Sequence, residues 1–459
     1  MSLLQFQALS GPYKQQQLMN AVYRAIYEKR LRLGEKLPSL RELAVQFNVH
    51  RNTVHGALND LVAQGLLESR PKKGFYVAEE FKQLLDLQYH APSPSLPATN
   101  PKVKYDLRSG TSDLRHFDLR AFKHHFNRAV GKMTYRDFEY GFTAGHPHLL
   151  EGLQYYLQQM RALPPRPLLI TNGSQEALYL LSQHLLRPSD KSALPELSYI
   201  NMKKIACQQK VNIIPIKLDQ DGLNTDDLAD KLQQHSIKFL YITPHNQYPT
   251  TVTLPLKRRL HLLELAKQHN FYILEDDYAH EFSFTTTPPT LVSIDKAECV
   301  CYLSSFSKVL LPSMRIGFIA LPEKLYQPIL NLKELISRQN EVFIQLTLAE
   351  MIFSGYFEQY LHRLRKVIKN RRDFLVGELH KYSAIKFTTP KAGLNFWLNT
   401  GKLTSQLINK ATIYHILIES EDFYRIDNIG VNEPQFIRLG FAKYNEQELA
   451  QILAKLFEN

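Results

Sequence analysis

Cysteine is nearly missing: Cys207, Cys299 and Cys301 are the only three in 459 residues. Three are too few for a disulfide framework and fit a reducing cytoplasm better than an oxidising compartment. Long apolar runs are absent too. No stretch approaches the roughly 20 residues that a membrane-spanning helix needs, and Met1-Ser2-Leu3-Leu4-Gln5 lacks the basic-then-apolar pattern of a secretory leader. The reading is a cytoplasmic protein. Acidic residues fall short of basic ones, 44 against 56, leaving a net charge of +12 that suits a polyanionic partner without requiring one. With 44% hydrophobic residues the chain can build a large core, and its length suggests two or three domains.

Half of that net charge sits on about a sixth of the chain, because residues 1–78 hold 11 Lys and Arg against 5 Asp and Glu. Leu18, Val22 and Ile26 recur at helical spacing from Gln16 to Leu33, and Gly34 closes the segment. Ser39 followed by Glu42 is a capping box, so a short helix should run to about Phe47. A third helix should begin near His50, turn Leu58, Leu61 and Val62 inward and stop at Gly65. Two short helices around a tight turn, the second opening Arg51-Asn52-Thr53, read as a helix-turn-helix. Leu66–Arg70 and Gly74–Ala78 then alternate as strands around Pro71-Lys72-Lys73-Gly74, a wing with a basic tip suited to phosphates.

Ala91 to Pro101 is rich in Pro, Ser and Ala without hydrophobic periodicity, and residues 81–104 read as a tether between 1–80 and 105–459. Beyond it strands alternate with helical stretches, the pattern of an α/β sheet. Expected strands are Leu168–Thr171, Ser192–Pro195, Asn212–Ile216, Phe239–Thr243, Tyr272–Glu275, Val300–Leu303 and Ile316–Leu321. Chemistry-bearing residues fall at their ends, where open α/β sheets place ligands.

Lys308 follows one such strand, and Arg315 comes seven residues later. A partly buried lysine near other cations loses its proton readily and can form a Schiff base. An arginine offers a planar donor fork for a cofactor phosphate. Thr171-Asn172-Gly173-Ser174-Gln175 turns from strand to helix, so its free N–H groups and the Ser174 hydroxyl make an anion site that Ser305, Ser307 and Arg315 complete. In Glu275-Asp276-Asp277-Tyr278 the faces alternate, which puts Asp276 and Tyr278 together and Glu275 and Asp277 opposite. Asp276 then suits a pyridine nitrogen and Tyr278 a ring hydroxyl. A divalent-metal cluster is the rival for this segment, with only His280 and Glu281 following at ligand spacing. It is set aside, and no metal is assigned. Tyr199 is placed to stack on a flat ring, Asn246 to donate to its oxygen, and Arg438 to clamp a carboxylate.

Leu37-Pro38-Ser39-Leu40-Arg41-Glu42-Leu43-Ala44, Val49-His50-Arg51-Asn52-Thr53-Val54 and Lys73-Gly74-Phe75-Tyr76-Val77 resemble the winged helix of the GntR family. That resemblance implies DNA contacts from Ser39, Arg41, Arg51, Thr53, Lys72 and Lys73, with Gly74 giving the wing its close approach. His50 stands where serine is usual as the helix cap. From about Tyr105 onward the chain resembles a fold-type I aminotransferase, and the two parts together resemble the MocR/GabR-like subfamily of GntR regulators, over nearly all 459 residues. The implied cofactor is pyridoxal 5'-phosphate on Lys308. Asp276 would meet its pyridine nitrogen, Tyr278 and Asn246 its ring hydroxyl, and Tyr199 its face. Ser174, Gln175, Ser305, Ser307 and Arg315 would hold the phosphate, Tyr140 would reach a phosphate across a homodimer, and Arg438 would bind an effector carboxylate. His362-Arg363-Leu364-Arg365 follows the family pattern too.

Glu151, Thr251 and Ser304 depart from that pattern, which usually has arginine, glycine and glycine there. Those departures favour a sensor that exchanges Schiff bases over an efficient transaminase. The rival is an active aminotransferase with an accessory DNA-binding domain. Asn201 stands where a GABA-sensing relative has arginine, so the resemblance implies an α-amino acid, or the cofactor itself, as effector.

Overall fold

The computed structural model describes residues 14–79, 103–108, 110–427 and 435–458. Its contacts divide the chain into a unit within residues 1–99 and a second within 100–459. The tether expected over 81–104 lies outside the described residues except for Val103 and Lys104.

In the first unit α1 (Lys14–Tyr27), α2 (Leu40–Phe47) and α3 (Arg51–Ala63) precede the hairpin β1 (Leu67–Arg70) and β2 (Gly74–Val77). Leu18, Val22, Ile26, Leu43, Phe47, Val54, Leu58 and Leu61 close one core. The Ser39–Glu42 capping box forms as read. His50 caps α3 through Nδ1, which accepts from the Asn52 N–H at 3.3 Å, so the helix starts at Arg51. The first helix ends at Tyr27 and not at Leu33. The chain after it pairs with the wing: Gly34 N–H donates to the Val77 carbonyl, Val77 N–H to Glu35, and Leu37 N–H to Phe75. Backbone pairing with β2 outcompetes another turn of helix, and it draws Leu31 into the core.

The second unit is built on a seven-stranded sheet. Its members are β3 (Leu168–Thr171), β4 (Lys191–Pro195), β5 (Asn212–Ile216), β6 (Ile237–Ile242), β7 (Tyr272–Asp276), β8 (Val300–Ser305) and β9 (Gly317–Ala320), in the spatial order β3-β9-β8-β7-β6-β4-β5. Only β9 runs antiparallel to its neighbours. Both faces are buried, and successive residues serve different cores. Ile273, Tyr302 and Phe318 pack on one side, and Leu274, Leu303 and Ile319 on the other. The helix α4 (Ser174–Leu185) leaves the end of β3 and lays Ala177, Leu178 and Leu181 on the second face. A smaller antiparallel sheet follows, with strands β10 (Lys386–Phe387), β11 (Asn395–Asn399), β12 (Glu419–Ser420) and β13 (Phe436–Gly440) in the order β10-β11-β13-β12. This sheet was not read from the sequence beyond the strand carrying Arg438, because two of its strands are only two residues long.

Candidate functional site

The carboxyl ends of β3, β7 and β8 open on a cavity of about 300 Å³. Ser174, Gln175, Tyr199, Asp276, Tyr278, Ser305, Ser307, Lys308, Arg315 and Arg438 all line it, though they come from six separate stretches of chain. Arg108, Gly110, Thr111, Tyr241, Tyr248 and Pro312 complete the wall and were missed in the sequence.

Alternation along β7 separates its carboxylates as the sequence suggested. Asp276 faces the cavity, whereas Glu275 on the other face accepts the N–H groups of Leu291 and Val292. Oδ2 of Asp276 accepts from the Tyr241 hydroxyl at 2.8 Å, and Oδ1 has no partner although only 5% of the residue is exposed. Burial pushes this carboxyl up to about 7, with nearby Asp277 adding to the rise. An orphaned buried carboxylate oxygen is costly unless a ligand supplies a donor. A protonated pyridine nitrogen is such a donor, so the aspartate fits pyridoxal phosphate. Burial, with Arg438 adding its charge, lowers the Lys308 amine to about 8, within reach of its nucleophilic form near neutral pH.

At the other end α4 begins without a side-chain cap, and its first N–H groups are free for an anion. Gly173 precedes it at φ 76°. A Cβ there would stand 2.9 Å from the Arg315 guanidinium, so glycine lets the arginine lie against the turn, where Nη2 donates to the Asn172 carbonyl at 2.6 Å. Ser305 and Ser307 hydroxyls lie 2.9 Å apart. One uncapped helix start, two hydroxyls and a guanidinium match the donor set of a phosphate cup.

Among the residues expected around the ring, one differs from the sequence expectation. Tyr199 lines the cavity, with Tyr248 edge-on to it at 5.7 Å. Asn246 does not line it: its amide sits 2.7 Å from the Tyr278 hydroxyl, behind the wall. In the orientation that satisfies every group, Tyr278 donates to the amide oxygen and the amide nitrogen donates to the Thr251 and Ala392 carbonyls. Asn246 therefore orients Tyr278 and does not face a ligand. Asn201, beside them, gives its amide to the Tyr199 hydroxyl at 2.8 Å and to Gln175 at 3.0 Å.

Arg438 on β13 is buried, stacks 4.4 Å over the Tyr248 ring and donates to the Arg108 carbonyl at 2.8 Å, while its Nε has no partner. Arg108 is held bidentately by Asp106. Of these two guanidiniums, that of Arg438 keeps its Nε without a partner, whereas that of Arg108 is paired with a carboxylate. Tyr140 is not part of this wall; it is exposed, and Arg338 lies 4.9 Å over its ring.

Two departures from the family pattern have visible structural uses. Ser304 donates to the Asp277 carbonyl at 2.8 Å. Thr251 holds a left-handed φ of 64°, a conformation costing a β-branched residue about 1–3 kcal/mol. Its N–H donates to Gln247 O at 2.6 Å, which fixes the turn next to Asn246.

In the first unit, Arg41 and Arg51 project exposed from the starts of α2 and α3, and Thr53 is half-buried behind Arg51. Ser39 is engaged in its cap. Lys72 and Lys73 are exposed at the wing tip, where Lys72 has φ 59° and Gly74 φ 103°.

The chain matches the family described as aminotransferase class I and II over residues 104–456, and the bacterial regulatory proteins of the gntR family over 14–77. It is 27% identical to the uncharacterized HTH-type transcriptional regulator YdeL of Bacillus subtilis (strain 168), over 96% of this chain and 95% of that one. It is also 27% identical to the probable rhizopine catabolism regulatory protein MocR of Rhizobium meliloti, over 79% and 78%. Among solved structures, the kynurenine aminotransferase of Pyrococcus horikoshii superposes with a TM-score of 0.72 at 24% identity, covering 83% of this chain and 94% of that one.

Proposed function

The chain belongs to the aminotransferase class I and II family and, through its gntR-type first unit, to the MocR/GabR-like DNA-binding regulators, and on that premise we propose that its aminotransferase-like unit is a sensor. It takes pyridoxal phosphate on Lys308 and reads an amino compound, or the cofactor itself, by Schiff-base exchange. The observation that carries this is the unpartnered, buried Oδ1 of Asp276, in one cavity with Lys308 and the free edge of Arg438.

When bound, the cofactor supplies an aldehyde carbon to which amines add. Lys308 supplies the first of those amines. Asp276, kept in place by Tyr241, holds a proton on the ring nitrogen. Tyr278, oriented by Asn246, bonds the ring hydroxyl, and Ser174, Gln175, Ser305, Ser307 and Arg315 hold the phosphate. Tyr199 covers the ring. Arg438 clamps the effector's carboxylate with a planar fork that Tyr248 supports from below. Asn201 is a neutral amide already shared between Tyr199 and Gln175, so a carboxylate carried distal to the reacting amine, as in GABA, finds no cation there. An α-amino acid, or pyridoxal phosphate as its own signal, is the better match.

The readout is operator DNA held by Arg41, Arg51, Thr53 and the wing lysines of two chains, joined as a homodimer in which Tyr140 reaches the partner's phosphate. An effector shifts DNA binding only by favouring one of two arrangements of the dimer. The test is a spectral titration of the cofactor-loaded protein with α-amino acids, GABA, taurine and pyridoxal phosphate, in the presence of a keto acid. One stoichiometric shift with an α-amino acid is expected. Repeated turnover sinks the sensor reading in favour of an aminotransferase, and a selective response to GABA sinks the effector assignment.

A further inference from the structure

Asp277, one residue beyond the cavity aspartate, faces the opposite side of the sheet and meets two imidazoles. His245, Asp277 and His280 each offer a ligand atom, and these atoms all lie within 4.8 Å of one another. Their outer atoms are tied. Ser283 donates its hydroxyl to the His280 carbonyl at 2.8 Å, so toward Nε2 of His245, 2.7 Å away, it acts as acceptor. That places the hydrogen of His245 on Nε2 and leaves a lone pair on Nδ1, which has no partner although the residue is 2% exposed. Nε2 of His280 lies 3.3 Å from the Met160 carbonyl and must donate, so its Nδ1, 2.8 Å from Asp277 Oδ2, meets the carboxylate only through a proton or a cation. Oδ2 of Asp277 also accepts from Tyr302 at 2.7 Å, and Oδ1 is buried without a partner.

We propose that His245, Asp277 and His280 form a binding site for a divalent transition metal of the zinc type. Outer nitrogens tied to a hydroxyl and a carbonyl, with inner nitrogens convergent, are how protein metal sites orient imidazoles. Zn–N bonds of about 2.0–2.1 Å at a tetrahedral angle put two imidazole centroids roughly 5 Å apart. The two rings here are stacked, with centroids 4.9 Å apart and planes 26° from parallel. The nearby Arg161 is ion-paired with Glu281, which leaves the negative charge of Asp277 for the metal. A separate cavity of about 570 Å³ borders the site on one side, where His280 and Ser283 line it. The sequence reading set such a cluster aside because His245, over thirty residues upstream, was not in view.

Full-length protein stripped with a chelator and titrated calorimetrically with ZnCl2 should bind one ion per chain, and Co2+ should give tetrahedral visible bands. His245→Asn and His280→Asn should each weaken binding by at least tenfold, Ser283→Ala by about tenfold through the outer shell, and Cys207→Ser not at all. X-ray absorption on the unmodified zinc-loaded chain guards against misfolded variants and should count two imidazoles. No binding near one equivalent, a thiolate in the shell, or unchanged affinity in both histidine variants overturns the site.

Discussion

The first unit presents the groups proposed to meet DNA to solvent, and the second hides those proposed to hold its ligand. Arg41, Arg51, Lys72 and Lys73 are exposed, on helix starts and a wing tip fixed by neighbouring residues such as Ser39, His50 and Gly74. Asp276, Lys308 and Arg438 sit in a cavity whose wall comes from distant stretches of chain, where burial alters their proton affinities. Exposed charges act additively and yield to salt; buried ones act as a set and respond to pH. Each prediction tests one side of that contrast.

The largest effect belongs to Lys308→Ala, which should abolish covalent capture of pyridoxal phosphate, read as loss of the visible band, while circular dichroism shows a folded chain. Loss of folding would give the lysine a packing role. Next, Arg438→Ala should weaken a carboxylate effector by about 2–5 kcal/mol, much of it from the vacant buried pocket, and Arg438→Lys should recover little because the fork is lost; spectral titration measures both.

Asp276→Asn acts on stability. The folded pKa of about 7 exceeds the unfolded value, so between pH 4 and 7 the native state binds more protons and the cofactor-free protein loses stability as pH rises. Asparagine should remove that loss, a gain at pH 8 accruing at about 1.4 kcal/mol per pH unit of separation, while cofactor binding weakens. Denaturant melts of both proteins at pH 5 and pH 8 check it, and parallel pH profiles would refute it.

On the exposed side, Arg41→Ala or Arg51→Ala should cost about 1–3 kcal/mol of operator binding, with the cofactor spectrum unchanged. The smallest effect is at the wing: Lys72→Ala or Lys73→Ala should weaken DNA of any sequence and lower the slope of log affinity against log salt by about 1. A sequence-selective loss there would mean that the tip reads bases.

The same contrast decided what was legible in the sequence. Caps, turns and the wing are set within a few residues, and the seven central strands announce themselves as short apolar runs ending in polar clusters. Asp276 could be placed because strand alternation is a local rule, and Lys308 because it follows an apolar strand with Arg315 seven residues on. Tyr241 could not: its bond to Asp276 spans 35 residues. Asn246 fell behind the wall, and Tyr248, for which no role was expected, lines it, beside a turn that Thr251 holds at positive φ. The end of the first helix was misjudged for the same reason, since its competitor, strand β2, lies some fifty residues away.

Strand β7 carries one further consequence. At its end successive residues face opposite sides, Asp276 toward the cavity and Asp277, just past the strand, toward the histidines, so the segment is a partition with a fixed phase. Point substitutions can retune either side separately. A one-residue insertion or deletion within Tyr272–Asp276 would exchange the two, carrying the cavity carboxylate to the histidines and its neighbour to the cavity. The strand is therefore constrained in length as well as in residue type, since Ile273, Leu274, Glu275 and Asp276 are all buried.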